Sequence, residues 1–120
     1  MRIRDIKARV FNYRSNIVRD DEGHTHPGVE HEARNALLTI TADDGSEGHC
    51  FGPVRPQVIE EFVKHLVVGE DPYDREKIWQ HMAHNQRGSG GAVHDRVLAT
   101  VEMALWDLAG RKLKLPVYKL

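Results

Sequence analysis

Apolar residues change their spacing once along this chain, at Gly52. The periodic segments before it repeat every two residues, as in a strand buried on one face. Those after it repeat at helical spacing. In "IRDIKARVFNY" (3–13), Ile6, Ala8 and Val10 face one way and Lys7, Arg9 and Phe11 the other. "ALLTITADDGSEGHCFG" (36–52) places Leu38, Ile40 and Ala42 on one face, turns at Asp44-Gly45 and returns. That pattern is a β-hairpin, and strand 3–13 joins it as a third antiparallel strand.

Three helices are predicted beyond Gly52. "RPQVIEEFVKHLVVG" (55–69) aligns Val58, Ile59, Phe62, Val63, Leu66 and Val67, with Pro56 in its first turn and Gly69 past its end. "DPYDREKIWQHMAHNQRG" (71–88) is capped by Asp71 or Asp74 and turns Ile78, Trp79 and Met82 inward. "GSGG" (88–91) is a flexible break. "DRVLATVEMALWDLAGRKL" (95–113) has the longest apolar face, formed by Val97, Val101, Ala104, Leu105, Leu108 and Ala109; Asp95 is its cap and Pro116 its end. Strands followed by helices imply an α+β fold: a three-stranded antiparallel β-meander covered on one face by a bundle of three helices.

Between the first strand and the hairpin, "RSNIVRDDEGHTHPGVEHEARN" (14–35) has neither period and carries Gly23, Pro27 and Gly28. It is expected to be a loop of roughly twenty residues, a length that in compact domains usually signals function or disorder. Its centre, "HTHPGVEHE", concentrates three histidines and two glutamates in nine positions.

Composition narrows the classes. The 120 residues, 40% hydrophobic and 29% charged, suit one globular domain. A net charge of −1 without a basic stripe argues against nucleic acid. Cys50 is the only cysteine, so there is no disulfide framework and no cysteine-based zinc site. No apolar run resembles a signal peptide or reaches membrane-span length. A soluble, cytoplasmic protein is the expectation.

The segment "VEMALWDLAGRKLKLPVYKL" resembles the end of the N-terminal capping domain of the mandelate racemase/muconate lactonizing enzyme family, within the enolase superfamily. Ala104 to Gly110, followed by Leu115-Pro116-Val117-Tyr118, carries the match. The meander, the long first segment, the "DDG" hairpin, "GEDP" between helices and the glycine break agree with it. Lys114 departs from the glycine usual there.

The resemblance implies a lid over the C-terminal face of a TIM barrel, where active sites of that fold lie. Such a barrel, expected downstream of Leu120 as this chain's own partner domain, would hold Mg²⁺ on carboxylates and carry the Lys or His bases. The shared step is removal of the proton next to a carboxylate, with the metal stabilising the enediolate. Acid-sugar dehydration is the first expectation, racemisation or cycloisomerisation the second. The resemblance also implies a small carboxylate or acid-sugar substrate and a homo-oligomer.

No catalytic or metal-ligating residue is assigned to these 120 positions. His24 and His26, in the segment that closes over the substrate in this family, are assigned to substrate binding, as is Phe51, beside Cys50 at the end of the hairpin. Alternatives are solvated histidines with no partner, or a zinc site of His24, His26 and His31 with Glu30 or Glu32. A free-standing α+β binding or oligomerisation module is a further alternative. His81 and His84 in "HMAH" are expected to be exposed. Trp106 is a packing residue, Asp107 pairs with Arg111, "GSGG" is a linker rather than a phosphate cradle, and His94 and Asp95 are helix-start groups.

Overall fold

A computed structural model describes residues 1–120. The sheet is formed by β1 (Ile3–Arg19), β2 (Thr25–Ala42) and β3 (Glu47–Gly52), antiparallel throughout and in the order β1-β2-β3. Three helices follow: α1 (residues 56–67), α2 (Arg75–Asn85) and α3 (Asp95–Leu113). This is the expected α+β meander and helix bundle.

The core lies between one sheet face and α3. Ile6, Leu38, Ile40 and Ala42 are fully enclosed and meet Val97, Val101, Ala104, Leu105 and Leu108 in one apolar cluster. Ile59, Val63 and Val67 of α1 and Ile78 and Met82 of α2 complete it. Each of the larger side chains contributes about 1.5–3 kcal/mol on burial. Inside α1 the residues Ile59–Val63 form a π-helical turn, and Lys64 donates its N–H to the Ile59 carbonyl.

Three expectations are corrected. The segment 14–35 is not a loop. β1 runs on to Arg19 and β2 starts at Thr25, giving a two-stranded arm closed by a tight turn. Asp20 shapes that turn: its Oδ1 accepts the N–H groups of Glu22 at 3.0 Å and His24 at 2.9 Å, and Gly23 takes a left-handed φ of 83°. No residue of the arm from Arg9 to Arg19 or from Thr25 to Asn35 is buried. With both faces in water, nothing imposes an apolar alternation. A register shift between Ser15 and Ile17, opposite Pro27 to His31, breaks what alternation there is.

Trp79 does not point inward; it is 41% exposed, while Ile78 and Met82 of the same helix are buried. "GSGG" is an ordered turn. Ser89 is buried, donates its hydroxyl to the Gln86 carbonyl at 2.6 Å and accepts the Val93 N–H at 3.0 Å. The helix starts also differ in detail. Asp74 precedes α2 and His94 precedes α3, neither with a side-chain cap bond, and Asp95 is already helical. Lys114 ends α3 at φ 56°, ψ 39°. No helix is long and apolar enough to cross a membrane.

Candidate functional site

The arm carries its polar cluster at the tip. Asp20, fixed by the turn, places Oδ2 3.9 Å from both His24 Nδ1 and His26 Nε2, and Glu22 lies 3.7 Å from His24. Both imidazoles are more than half exposed, so they are available to a ligand. A neutral imidazole donates from one nitrogen and accepts at the other, which suits hydroxyl groups. His26 also donates from Nδ1 to the Pro27 carbonyl at 3.3 Å. His31 lies further along β2 with Nδ1 on the Val29 carbonyl at 3.0 Å, so it does not converge with His24 and His26. No group of three or more His, Cys, Asp or Glu side chains is disposed to hold a metal ion. The residues of this chain therefore do not fit a Mg²⁺ centre.

Phe51 is 62% exposed at the end of β3, edge-on to Phe11 with ring centroids 5.7 Å apart; Phe11 in turn adjoins Tyr13 at 6.0 Å. The structure does not bring Phe51 to the histidines. Phe51 pairs with Leu37 and His26 with Val18, which separates them by eleven residues of β2. At about 3.3 Å per residue that is at most roughly 36 Å. Neighbouring Cys50 is half-buried, and its Sγ donates to the Phe51 carbonyl. Burial, then the negative charge of Asp107, pushes its thiol pKa up, which disfavours the thiolate.

An open groove runs from the root of the arm past Phe51 to the start of α3. Arg34, Arg55, His94 and Arg96 stand along it with Phe51 and Met103. The sequence reading did not find this cluster. Its arginines lie on β2, after β3 and on α3, and no spacing along the chain marks them as neighbours. His81 and His84 are exposed as expected, and Asp107 pairs with Arg111 at 2.7 Å. Trp106 is only half-buried and lies beneath the Arg75 guanidinium, 3.6 Å from the ring centre.

Residues 14–120 match the sequence profile of the mandelate racemase/muconate lactonizing enzyme N-terminal domain. This chain belongs to the mandelate racemase/muconate lactonizing enzyme family. Among solved structures of the superfamily, D-glucarate dehydratase from Agrobacterium tumefaciens, complexed with magnesium, is similar at 52% identity and a TM-score of 0.90. The match covers 98% of this chain and 31% of that one. A D-galactonate dehydratase family member of Pseudarthrobacter chlorophenolicus is 33% identical over 99 residues, covering 77% of this chain and 24% of its own length. A D-mannonate dehydratase of Caulobacter vibrioides is 36% identical over 89 residues, covering 69% and 22%. The chain thus spans less than a third of each relative's length and corresponds to the N-terminal capping domain of the mandelate racemase/muconate lactonizing enzyme family.

Proposed function

We propose that residues 1–120 are the lid of an acid-sugar dehydratase whose chemical centre lies in a TIM-barrel domain outside this segment. The observation that carries this reading is the 52% identity, over 98% of the chain, to a D-glucarate dehydratase. In this proposal the Mg²⁺ ligands and the proton-abstracting base belong to the barrel. The residues described here enclose and select the substrate. His24 and His26 would exchange hydrogen bonds with the hydroxyl groups of a polyol chain, and Phe51 would supply an apolar wall. The register shift at Ser15–Ile17 offers a bend at which the arm could fold toward Phe51. Closure of that kind expels water from the reacting carbon.

The test is made on the intact polypeptide that carries residues 1–120. Incubation with Mg²⁺ and a panel of acid sugars is expected to produce a 2-keto-3-deoxy acid. Loss of the C2 proton and the C3 hydroxyl leaves an enol, which tautomerises to the 2-keto form. Chelation of the metal should stop the reaction, and His24→Ala/His26→Ala should raise KM or blur discrimination among sugars. Epimerised or lactone-derived products without any keto acid would replace dehydration by racemisation or cycloisomerisation. No conversion of any acid sugar would overturn the reading.

A further inference from the structure

We propose that the groove between the arm root, Phe51 and the start of α3 is a carboxylate-recognition site that selects substrates with a second carboxylate. The inference rests on the acid-sugar reading above and names the substrate class within it. Arg34, Arg55 and Arg96 all line this groove together with His94, and no Asp or Glu lines it. None of the three guanidinium groups makes an ion pair or a side-chain hydrogen bond within the chain. Cations elsewhere on the molecule are matched: Lys64 has Asp5 at 3.0 Å, Lys77 has Glu70 at 2.6 Å, and Lys112 has Asp44 at 2.6 Å.

The imbalance is therefore local, in a chain whose net charge is only −1. The start of the 19-residue helix α3 adds the positive end of its dipole. Asp95, the nearest acid in sequence, is engaged by Gln86 Nε2 at 3.0 Å. Guanidinium groups bind carboxylates through paired N–H donors, and the adjacent apolar surface of Phe51 and Met103 suits a carbon skeleton. One carboxylate of an acid sugar is required at the reacting centre. A groove rich in arginine on the lid has a use for a second one at the far end, which an aldarate has and an aldonate lacks.

The experiment compares D-glucarate with D-gluconate on the intact polypeptide, as wild type and as Arg55→Met, Arg96→Met and the triple Arg34→Met/Arg55→Met/Arg96→Met variant. All three arginines are exposed, so the fold should survive, as circular dichroism would verify. The ratio of kcat/KM for the dicarboxylate over the monocarboxylate is expected to fall 10- to 100-fold in the triple variant, mainly through KM. Arg→Lys variants should recover part of it. An unchanged ratio, or equal losses on both sugars, would overturn the inference and leave the dehydratase reading intact.

Thermal shift supplies a readout independent of turnover. D-glucarate should raise the Tm of the wild type more than D-gluconate does, and the triple variant should lose that difference. Dicarboxylate binding without dehydration would defeat the functional reading and keep the groove assignment. A Tm change in the triple variant that no sugar influences would assign the groove to an acidic segment of the same protein and overturn the proposal.

Discussion

The Asp107 carboxylate of α3 accepts the backbone N–H of His49 on β3 at 2.8 Å. β3 is an edge strand, and this N–H points away from β2, so the helix satisfies a donor that the sheet leaves open. The same oxygen accepts Arg111 Nε at 2.7 Å. A hydrogen bond to a charged acceptor contributes about 1.5–3 kcal/mol, whereas an exposed ion pair contributes about 1 kcal/mol or less. Asp107→Ala is therefore expected to lower the stability to urea by about 2 kcal/mol. Arg111→Ala should cost well under half of that, and Asp107→Asn should fall between. Equal losses for Asp107→Ala and Arg111→Ala would show that the ion pair, not the strand contact, holds the helix to the sheet.

Gly48 and Gly52 set how closely β3 approaches α3. A Cβ on Gly48 would run into the Ala104 carbonyl and stand 2.6 Å from both Leu108 N and Cβ, with backbone forming much of the obstruction. On Gly52 it would meet only the Thr100 side chain. Overpacking costs about 1–3 kcal/mol or more. Gly48→Ala is expected at the top of that range with no single side-chain rescue. Gly52→Ala should be milder and largely recovered in Gly52→Ala/Thr100→Ala. Chemical denaturation of the four proteins decides it, and a rescue of Gly48→Ala by Leu108→Ala would contradict the assignment.

The parts of this architecture that were legible in the sequence are those with one wet and one dry face. Leu38, Ile40 and Ala42 alternate because β2 buries one side there, and Val97 to Ala109 follow a helical stripe because α3 covers the sheet. The arm was illegible for the same reason in reverse: residues 14–35 are wet on both faces, so Pro27 and Gly28 looked like loop punctuation although they lie in a strand. The close approach at Gly48 had no local signal, since the obstructing atoms come from Ala104 and Leu108. The histidines were conspicuous as residue types, but their distance from Phe51 depends on the arm being extended. Arg34, Arg55 and Arg96 become neighbours only through the tertiary fold.

Lys114 is the only non-glycine residue at positive φ. Its N–H bonds to the Arg111 carbonyl, at 3.3 Å, and Leu115 N–H bonds to the Gly110 carbonyl at 3.0 Å, closing the helix end. A left-handed conformation costs a residue with a Cβ about 1 kcal/mol relative to glycine. Lys114→Gly should therefore raise Tm by about 4 °C in a chain of this size. Lys114→Val, with a β-branched side chain, should lower it. A Tm unchanged by both substitutions would mean that the helix end relaxes at no cost.

Asp44 joins the β2–β3 turn to the end of α3 through Lys112 Nζ at 2.6 Å. The hydrogen bond from Lys112, followed by the Ser46 backbone N–H, holds the Asp44 carboxyl well below the usual carboxylate range. Lys112 is raised in turn, first by that hydrogen bond and then by the charge of Asp44. A carboxyl that titrates lower in the folded state stabilises the fold fully above its unfolded pKa of about 4. That contribution is lost as the pH falls through the lower, folded value. The lysine works in the opposite direction: its share is complete below the unfolded pKa and disappears as the pH rises through the raised folded one. Wild type and Asp44→Asn should therefore differ in urea midpoint by a constant amount from about pH 5 to 9. The gap should narrow on further acidification toward pH 2 and again above about pH 10.5. Because the pair lies at the surface, the gap should also shrink in molar salt. A gap that persists undiminished at pH 2 would show that Asp44 acts through the turn geometry at Ser46 and not through its charge.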